Sequence, residues 1–304
     1  MGVAVNILTE GVMEKNKPIV VGVGELLWDV FPTGKRAGGA PINFVYHATQ
    51  LGAEGYAISA VGKDALGNEI LQVLKDNHIA NYVQSIDYPT GTVQVELNKG
   101  IPNYTIIENV AWDHIPLTQT AIDIVSKAKA LCFGTLSLRH PDSRKTITTL
   151  LSYARKDALR FYDINLRQHY YSKELIEELL KLANVFKVND EELLVIKDLF
   201  GVKGTDEEVC KYFMDKYHLK YVILTAGEKY SIVYSQTEKS YIETPKVSVA
   251  DTVGAGDAFS GAFVQGILSE KTLQQAHKQA VEISAFVCTQ TGAWPEYDQT
   301  LLDK

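Results

Sequence analysis

Cysteine is scarce. Three residues, Cys132, Cys210 and Cys288, are spread over 304 positions, odd in number and far apart. That excludes a disulfide framework and points to a reduced, cytoplasmic protein. Long hydrophobic runs are also lacking: the longest apolar stretches have strand length, far short of the roughly 20 residues that span a bilayer, so no membrane partner is expected. There is no basic tract, and the net charge is −7. A nucleic-acid surface is therefore excluded, although a small anionic ligand, which needs only a local site, is not. The first residues have neither a basic n-region nor a continuous apolar h-region, and residues 1–17 read as a disordered leader. None of the seven histidines pairs with another at metal-ligand spacing. GxxxxGK[ST] is absent, since Gly34–Lys35 and Gly62–Lys63 run into Arg36 and Asp64. The protein-kinase signatures and the GxSxG elbow are missing as well. "GVGELL" opens like a dinucleotide fingerprint but lacks the third glycine.

What is present is a chain 46% hydrophobic, with apolar β-rich runs alternating with helical patterns. "IVVGVGEL", "YAISAVG", "ALCFG", "LRFYDI", "VFKVN" and "YVILTAG" read as strands. Helical periodicity falls between them, over 66–77, 142–156, 172–183 and 205–217. Continuously apolar strands separated by helices predict an α/β fold, a three-layer, mostly parallel sheet covered by helices on both faces. Ligands of such sheets lie at the carboxyl ends of the strands. One region breaks the pattern. Residues 91–107 alternate apolar and polar with a turn at Asn98–Lys99–Gly100, a hairpin with Val93, Val95 and Leu97 on one face. With "DVFPTGKRAGG" it forms a small two- or three-stranded flap from about 29–38 and 91–111. This flap is either a lid with a homodimer surface or a cap on a sheet edge; alone it is unstable.

Several stretches carry chemistry. In "DTVGAGDAFSGAF", residues 251–263, Gly254, Ala255 and Gly256 lead into a helix whose unpaired first amides suit an anion. Asp257 is there either as an N-cap or as a general base beside that anion. "GGAPINF", residues 38–44, is a second glycine turn feeding a helix, with Pro41 in the first turn and the Asn43 amide free for hydroxyls. In "VNDEE", Asn189 and Glu192 share a helix face at i, i+3. They are either a capping box or a carboxylate holding waters of Mg²⁺. "DINLR" sets Asp163, Asn165 and Arg167 after a strand, as turn formers or, for Arg167, as a partner for an anionic oxygen. "LTAGEK" puts Thr225 and Gly227 at another strand end.

Together these stretches resemble the ribokinase-like (PfkB) family of carbohydrate kinases, from about residue 18 to 295, with 18–304 as the kinase domain. "GELLWDVFP", "GKDALGNE" and "PNYTIIENVAWD" look most like bacterial fructokinases. The resemblance implies ATP and a small sugar as partners, Mg²⁺ with ATP as cofactor, and K⁺ as a further ion. It implies Asp257 as catalytic base, with the amides of Gly254, Ala255 and Gly256 as the anion hole. Asp29, Gly38, Gly39, Asn43 and Arg167 would hold sugar and phosphate path, and Asn165, Asn189, Thr225 and Gly227 the nucleotide. Glu192 would hold Mg²⁺ through water, and Asp251 and Val253 a monovalent cation. Tyr230 stands where the family often has Gly after "GEK", a local departure in the nucleotide loop. Phosphoryl transfer is largely dissociative, so Asp257 would take the proton late. D-Fructose is the expected acceptor. Ribose and 2-keto-3-deoxygluconate are the alternatives, the latter calling on Lys35, Arg36 or Lys99 for its carboxylate. A non-catalytic sugar sensor of the same fold is the remote one, and a Rossmann-type oxidoreductase the third class.

Overall fold

The computed structural model describes residues 17–98 and 101–302. Residues 1–16 of the expected leader, and Lys99 and Gly100 of the expected turn, lie outside them. Within the described residues the strands are β1 (Ile19–Val23), β2 (Leu27–Phe31), β3 (Gly34–Gly38), β4 (Glu54–Gly62), β5 (Ala80–Ile86), β6 (Gly91–Asn98), β7 (Ile101–Ile106), β8 (Ala130–Gly134), β9 (Leu159–Asp163), β10 (Val185–Asn189), β11 (Tyr221–Thr225), β12 (Tyr230–Ser235) and β13 (Lys239–Glu243). Nine form one sheet in the order β13-β12-β11-β10-β9-β8-β1-β4-β5. From β5 to β11 the pairs are parallel, while β12 and β13 add an antiparallel edge.

Alternation along the strands sends side chains to two separate cores. Val21, Val23, Leu131 and Phe133 face one layer, made by helices Gln119–Val125, Pro141–Ser152, Lys173–Leu182, Asp190–Phe200 and Asp206–Tyr217. Val20, Ala130, Cys132 and Phe161 face the other, made by Ala40–Gln50, Ala65–Asp76, Ala255–Leu268 and Leu273–Cys288. The three-layer expectation holds. No helix among the described residues is long and apolar enough to cross a membrane.

The flap is larger than expected. It is a four-stranded sheet, β3-β2-β6-β7, because β2 pairs in parallel with β6 and joins the two hairpins. Four strands share their backbone bonds more fully than the two or three anticipated. Val93 is buried with Leu27, Ile106, Val110, Trp112 and Leu136 of its own chain, so this apolar position gives no ground for a dimer.

Helix starts follow local capping chemistry. Ser172, Thr205 and Thr272 each accept an N–H from the first turn that follows. Asp64 does more. It accepts the Gly67 N–H at 2.7 Å, the Thr90 N–H at 2.8 Å and the Thr90 hydroxyl at 2.6 Å, pinning helix Ala65–Asp76 to the strand entering the flap. Burial alone would raise its pKa; the Thr90 and Gly67 donors outweigh that and leave it lowered. A lowered carboxylate stabilises the fold above its unfolded pKa and loses that contribution as pH falls through the folded value. Asp64→Ala is therefore expected to cost about 1–2 kcal/mol at neutral pH, with the difference from the parent shrinking in strong acid. Urea unfolding at several pH values measures it, and equal midpoints at pH 7 would contradict it.

Candidate active site

Two helix N-termini converge at the carboxyl edge of the sheet. The first belongs to Ala40–Gln50, capped by Gly39 at φ 125°. A Cβ there would lie 2.1 Å from the Glu25 carbonyl oxygen, so both the turn and the close approach demand glycine. The second belongs to Ala255–Leu268, capped by Gly254 at φ 79° without any side-chain cap. Asp257 is thus not the N-cap. It stands in the first turn, and its Oδ2 accepts the Asn43 Nδ2 at 2.8 Å from the other helix. Of the three cradle amides, that of Ala255 turns back to the Thr252 carbonyl at 3.3 Å.

The Asn43 amide is free only in part. Asn43 is buried, and its Oδ1 accepts the indole N–H of Trp294 at 2.7 Å while its Nδ2 serves Asp257. Both ends are used because the two helices cross at this point and bury the amide between them.

Beneath the cradle lies an ion pair absent from the expected set. Lys187 Nζ donates to Asp163 Oδ2 at 2.6 Å, and both side chains are more than nine-tenths buried. Ser260 donates to the same oxygen at 3.3 Å. The ammonium passes so close under Gly256 that a Cβ there would sit 3.3 Å from it. Asp257 borders a tight crevice with Pro41, Phe44, Gly134, Asp163 and Ser260. Its pKa is pushed up to about 7, first by burial of the carboxyl and next by the Asp163 charge. The Asn43 bond, Lys187 and Arg167 oppose the rise. Burial pushes Asp29 up to about 6 against the pull of Arg167 and Arg36. Asp29 Oδ2 comes within 2.9 Å of where a Cβ on Gly38 would be. Arg167, exposed, lowers the pKa of both carboxylates; Asn43 bonds Asp257, while Asp29 lies against Gly38.

Farther along the edge, Asn189 ends β10 and Thr225 ends β11, in register with each other. Asn189 and Glu192 form the capping box: Oδ1 accepts the Glu192 N–H at 2.8 Å, and Glu192 Oε2 accepts the Asn189 N–H at 3.0 Å. Glu192 Oε1 also accepts the Leu166 N–H at 2.9 Å, tying the box to the loop that carries Asn165, whose φ is 39°. Burial, then the Asp163 charge, raises the pKa of Glu192. Gly227 follows in an exposed turn at φ 52°, and Tyr230 begins β12 with its ring stacked on Tyr241.

The Asp251 carboxylate is occupied. Oδ2 accepts Arg36 Nη1 at 2.9 Å and the Gly292 N–H at 3.1 Å, and Oδ1 accepts the Val253 N–H at 3.1 Å. A guanidinium already balances its charge, so the Asp251 carboxylate is not free for a monovalent cation here. Lys35 likewise pairs with Glu69. Among the described residues, one histidine group gathers ligand atoms despite its sequence spacing: His114, His140 and Asp142. It is a closed network, in which His114 bonds Asp142 (2.7 Å) and Asn109 (3.0 Å), and His140 Nδ1 accepts the Asp142 N–H (3.3 Å).

Glu25, Lys187 and Trp294 were missed. Glu25 is buried, accepts the Ala40 N–H at 3.1 Å and is held by the Ser137 hydroxyl. A signal existed for two of them: a Lys inside "VFKVN" and a Glu inside "GVGELL" are charges in apolar strands, which must find partners. Nothing local marks Trp294.

Cleft, fold and motifs define a nucleotide-dependent small-molecule kinase class. The family model described as pfkB family carbohydrate kinase matches residues 16–299, and the chain belongs to that family, as a sugar kinase. An ATP-dependent 6-phosphofructokinase of Thermoanaerobacterium thermosaccharolyticum is 29% identical over 300 residues, covering 93% of this chain and 91% of that one. An uncharacterized sugar kinase of Pyrococcus horikoshii, solved in complex with ATP, is 27% identical, with TM-score 0.74 over 91% of this chain and 94% of that one. A Vibrio cholerae fructokinase, solved with fructose, ADP and calcium, shares the fold at 22% identity and TM-score 0.79, covering 95% and 98%.

Removing one member of a buried ion pair leaves an uncompensated charge. Lys187→Met is expected to cost about 3–5 kcal/mol, read from guanidinium unfolding. A loss below about 1 kcal/mol would mean the pair behaves as an exposed one.

Proposed function

We propose that the protein transfers the γ-phosphoryl of ATP to a hydroxyl of a free sugar, D-fructose at its 6-hydroxymethyl. The observation that carries this is Asp257: a carboxylate in the first turn of a glycine-capped helix N-terminus, held by Asn43 and bordering the crevice lined by Pro41, Gly134 and Ser260. A base with pKa near 7 suits neutral pH, where enough of it is ionised and proton transfer is still favourable. It orients the acceptor hydroxyl and takes its proton as the new bond forms, an effect worth about 10²–10⁴-fold. The helix entrance offers positive potential to the transferring group. Arg167 supplies charge along the phosphate path, and Asn165, Asn189, Thr225 and Gly227 take the nucleotide.

Glu192 fits an outer role toward Mg²⁺. Each of its oxygens keeps a second lone pair beyond its backbone N–H, and hard oxygen donors suit that ion. Mg²⁺ bound with ATP supplies neutralisation of phosphate charge; Glu192 would hold it through water.

A neutral acceptor agrees with the charges around the cleft. Lys35 and Arg36, the cations that an anionic sugar would call on, are paired with Glu69 and Asp251. The relative solved with fructose and ADP supports fructose as that acceptor. The relative named 6-phosphofructokinase favours fructose 6-phosphate as the second candidate, which requires one of those pairs to open.

A coupled ADP-release assay across fructose, fructose 6-phosphate, ribose and 2-keto-3-deoxygluconate is expected to give the highest kcat/KM for fructose; preference for an anionic sugar would shift the assignment. Turnover should rise with pH through about 7 as Asp257 ionises. Asp257→Asn should lower kcat by at least about 10²-fold with an unchanged melting temperature, and an active variant would remove the base. Glu192→Gln should raise the Mg²⁺ concentration needed for half-maximal rate; an unchanged requirement would leave Glu192 as a cap alone.

A further inference from the structure

We propose that the indole of Trp294 is a positioning group for Asp257, acting through Asn43: it fixes the amide so that the NH₂, and not the carbonyl, meets the carboxylate. The inference rests on Asp257 as the base and extends it to a residue in a different part of the chain.

Donor and acceptor capacity dictates the orientation. An asparagine amide can turn end for end at little cost, exchanging a donor for an acceptor. An indole N–H only donates, so the Asn43 atom 2.7 Å from Trp294 Nε1 must be the carbonyl oxygen. The NH₂ then faces Asp257 Oδ2 at 2.8 Å. Reversed, the carbonyl would face the carboxylate, and the two acceptors could coexist only with a proton on Asp257. The indole thereby favours the ionised form of a group it does not touch.

The indole is itself held. Its ring stacks on Tyr46, with centroids 5.4 Å apart and planes 7° apart. The single proton of the Tyr46 hydroxyl is shared between the carbonyls of Trp294 (3.2 Å) and Pro295 (2.9 Å). Tyr46 and Asn43 lie in one helix, so the stack and the relay share a rigid support.

Other elements also set the charge on Asp257. Asp163 at the end of β9 opposes its ionisation; Lys187 on β10 and Arg167 beyond β9 favour it, and the Cys132 thiol on β8 lies in the same field. None of these changes when the indole N–H is removed, so the relay can be tested alone.

Trp294→Phe keeps an aromatic ring for the stack and deletes the donor. The acid limb of the kcat–pH profile is expected to move to higher pH by about one unit, about tenfold in turnover on the acid side, with the alkaline plateau within about threefold of the parent. A limb that stays in place, or a fall in kcat by one factor at every pH, would overturn the proposal. Tyr46→Phe frees the segment carrying the indole and should move the limb the same way by less. It decides the matter if Trp294→Phe fails to fold, and an unmoved limb then counts against the relay. A carbon-13 titration of the Asp257 carboxyl, with the signal assigned by its loss in Asp257→Asn, reads the same shift without turnover. An active Asp257→Asn enzyme would remove the catalytic reading while that titration still tests the relay; an unchanged Asp257 titration in Trp294→Phe would remove the relay alone.

Discussion

The site depends on keeping one carboxylate short of water without letting it become fully protonated. Asp257 has another acid, Asp163, as a near neighbour. Two close carboxylates cannot both ionise cheaply. Lys187 changes the balance: its 2.6 Å bond to Asp163 makes that acid part of a pair, and its charge also reaches Asp257. What Asp257 then experiences is burial, a partly cancelled negative charge, one amide donor and a distant guanidinium. Take away the lysine and the uncancelled Asp163 charge joins burial in holding Asp257 protonated; take away the burial and it becomes an ordinary acid with pKa near 3.9, poorly matched to an alcohol. The parallel sheet puts Asp163 and Lys187 on adjacent strands in register, so the fold itself sets this field.

The flap answers to the same cleft. Asp29 on β2 opposes Arg36 on β3 in register, yet Arg36 bonds Asp251, ahead of the catalytic helix. This bridge joins flap and sheet domain across 215 positions. Its arginine is about two-fifths exposed, so its energy is small, about 0–1 kcal/mol. A contact of that size orders two surfaces without locking them. It also leaves Asp29 without a neutralising bond from the arginine opposite it.

Much of the fold was legible because β1, β4, β8, β9, β10 and β11 are apolar on both faces and end in polar or glycine-bearing residues. The antiparallel strands β12 and β13 were not: serines interrupt the apolar run of β12, and alternate residues of β13 are exposed. The joining of the two hairpins into one flap depends on pairing between β2 and β6, more than 60 positions apart. In the site, Asp257, Asn43 and the two glycine turns could be named because each turn needs glycine locally. The use made of Asn43 could not, because its partners are 214 and 251 positions away. The capping box between Asn189 and Glu192 formed as local rules require, and those rules are silent on the third bond, from Leu166, that ties it to the neighbouring strand end.

Asn43 raises a question of capacity. The family resemblance gives it a sugar hydroxyl, whereas the structure gives it Asp257 and Trp294. A primary amide has two N–H donors and two carbonyl lone pairs. One donor goes to Asp257 and one lone pair to the indole, leaving one of each. A sugar hydroxyl needs one of these, so gripping the substrate and orienting the base need not compete. They reinforce each other if the amide is already fixed: a group that cannot rotate loses little entropy on binding, and the hydroxyl it holds is placed relative to the same carboxylate. An exposed asparagine would have to choose its partners anew with each substrate. Burial between two helices, with the indole closing one end, makes the choice once, during folding.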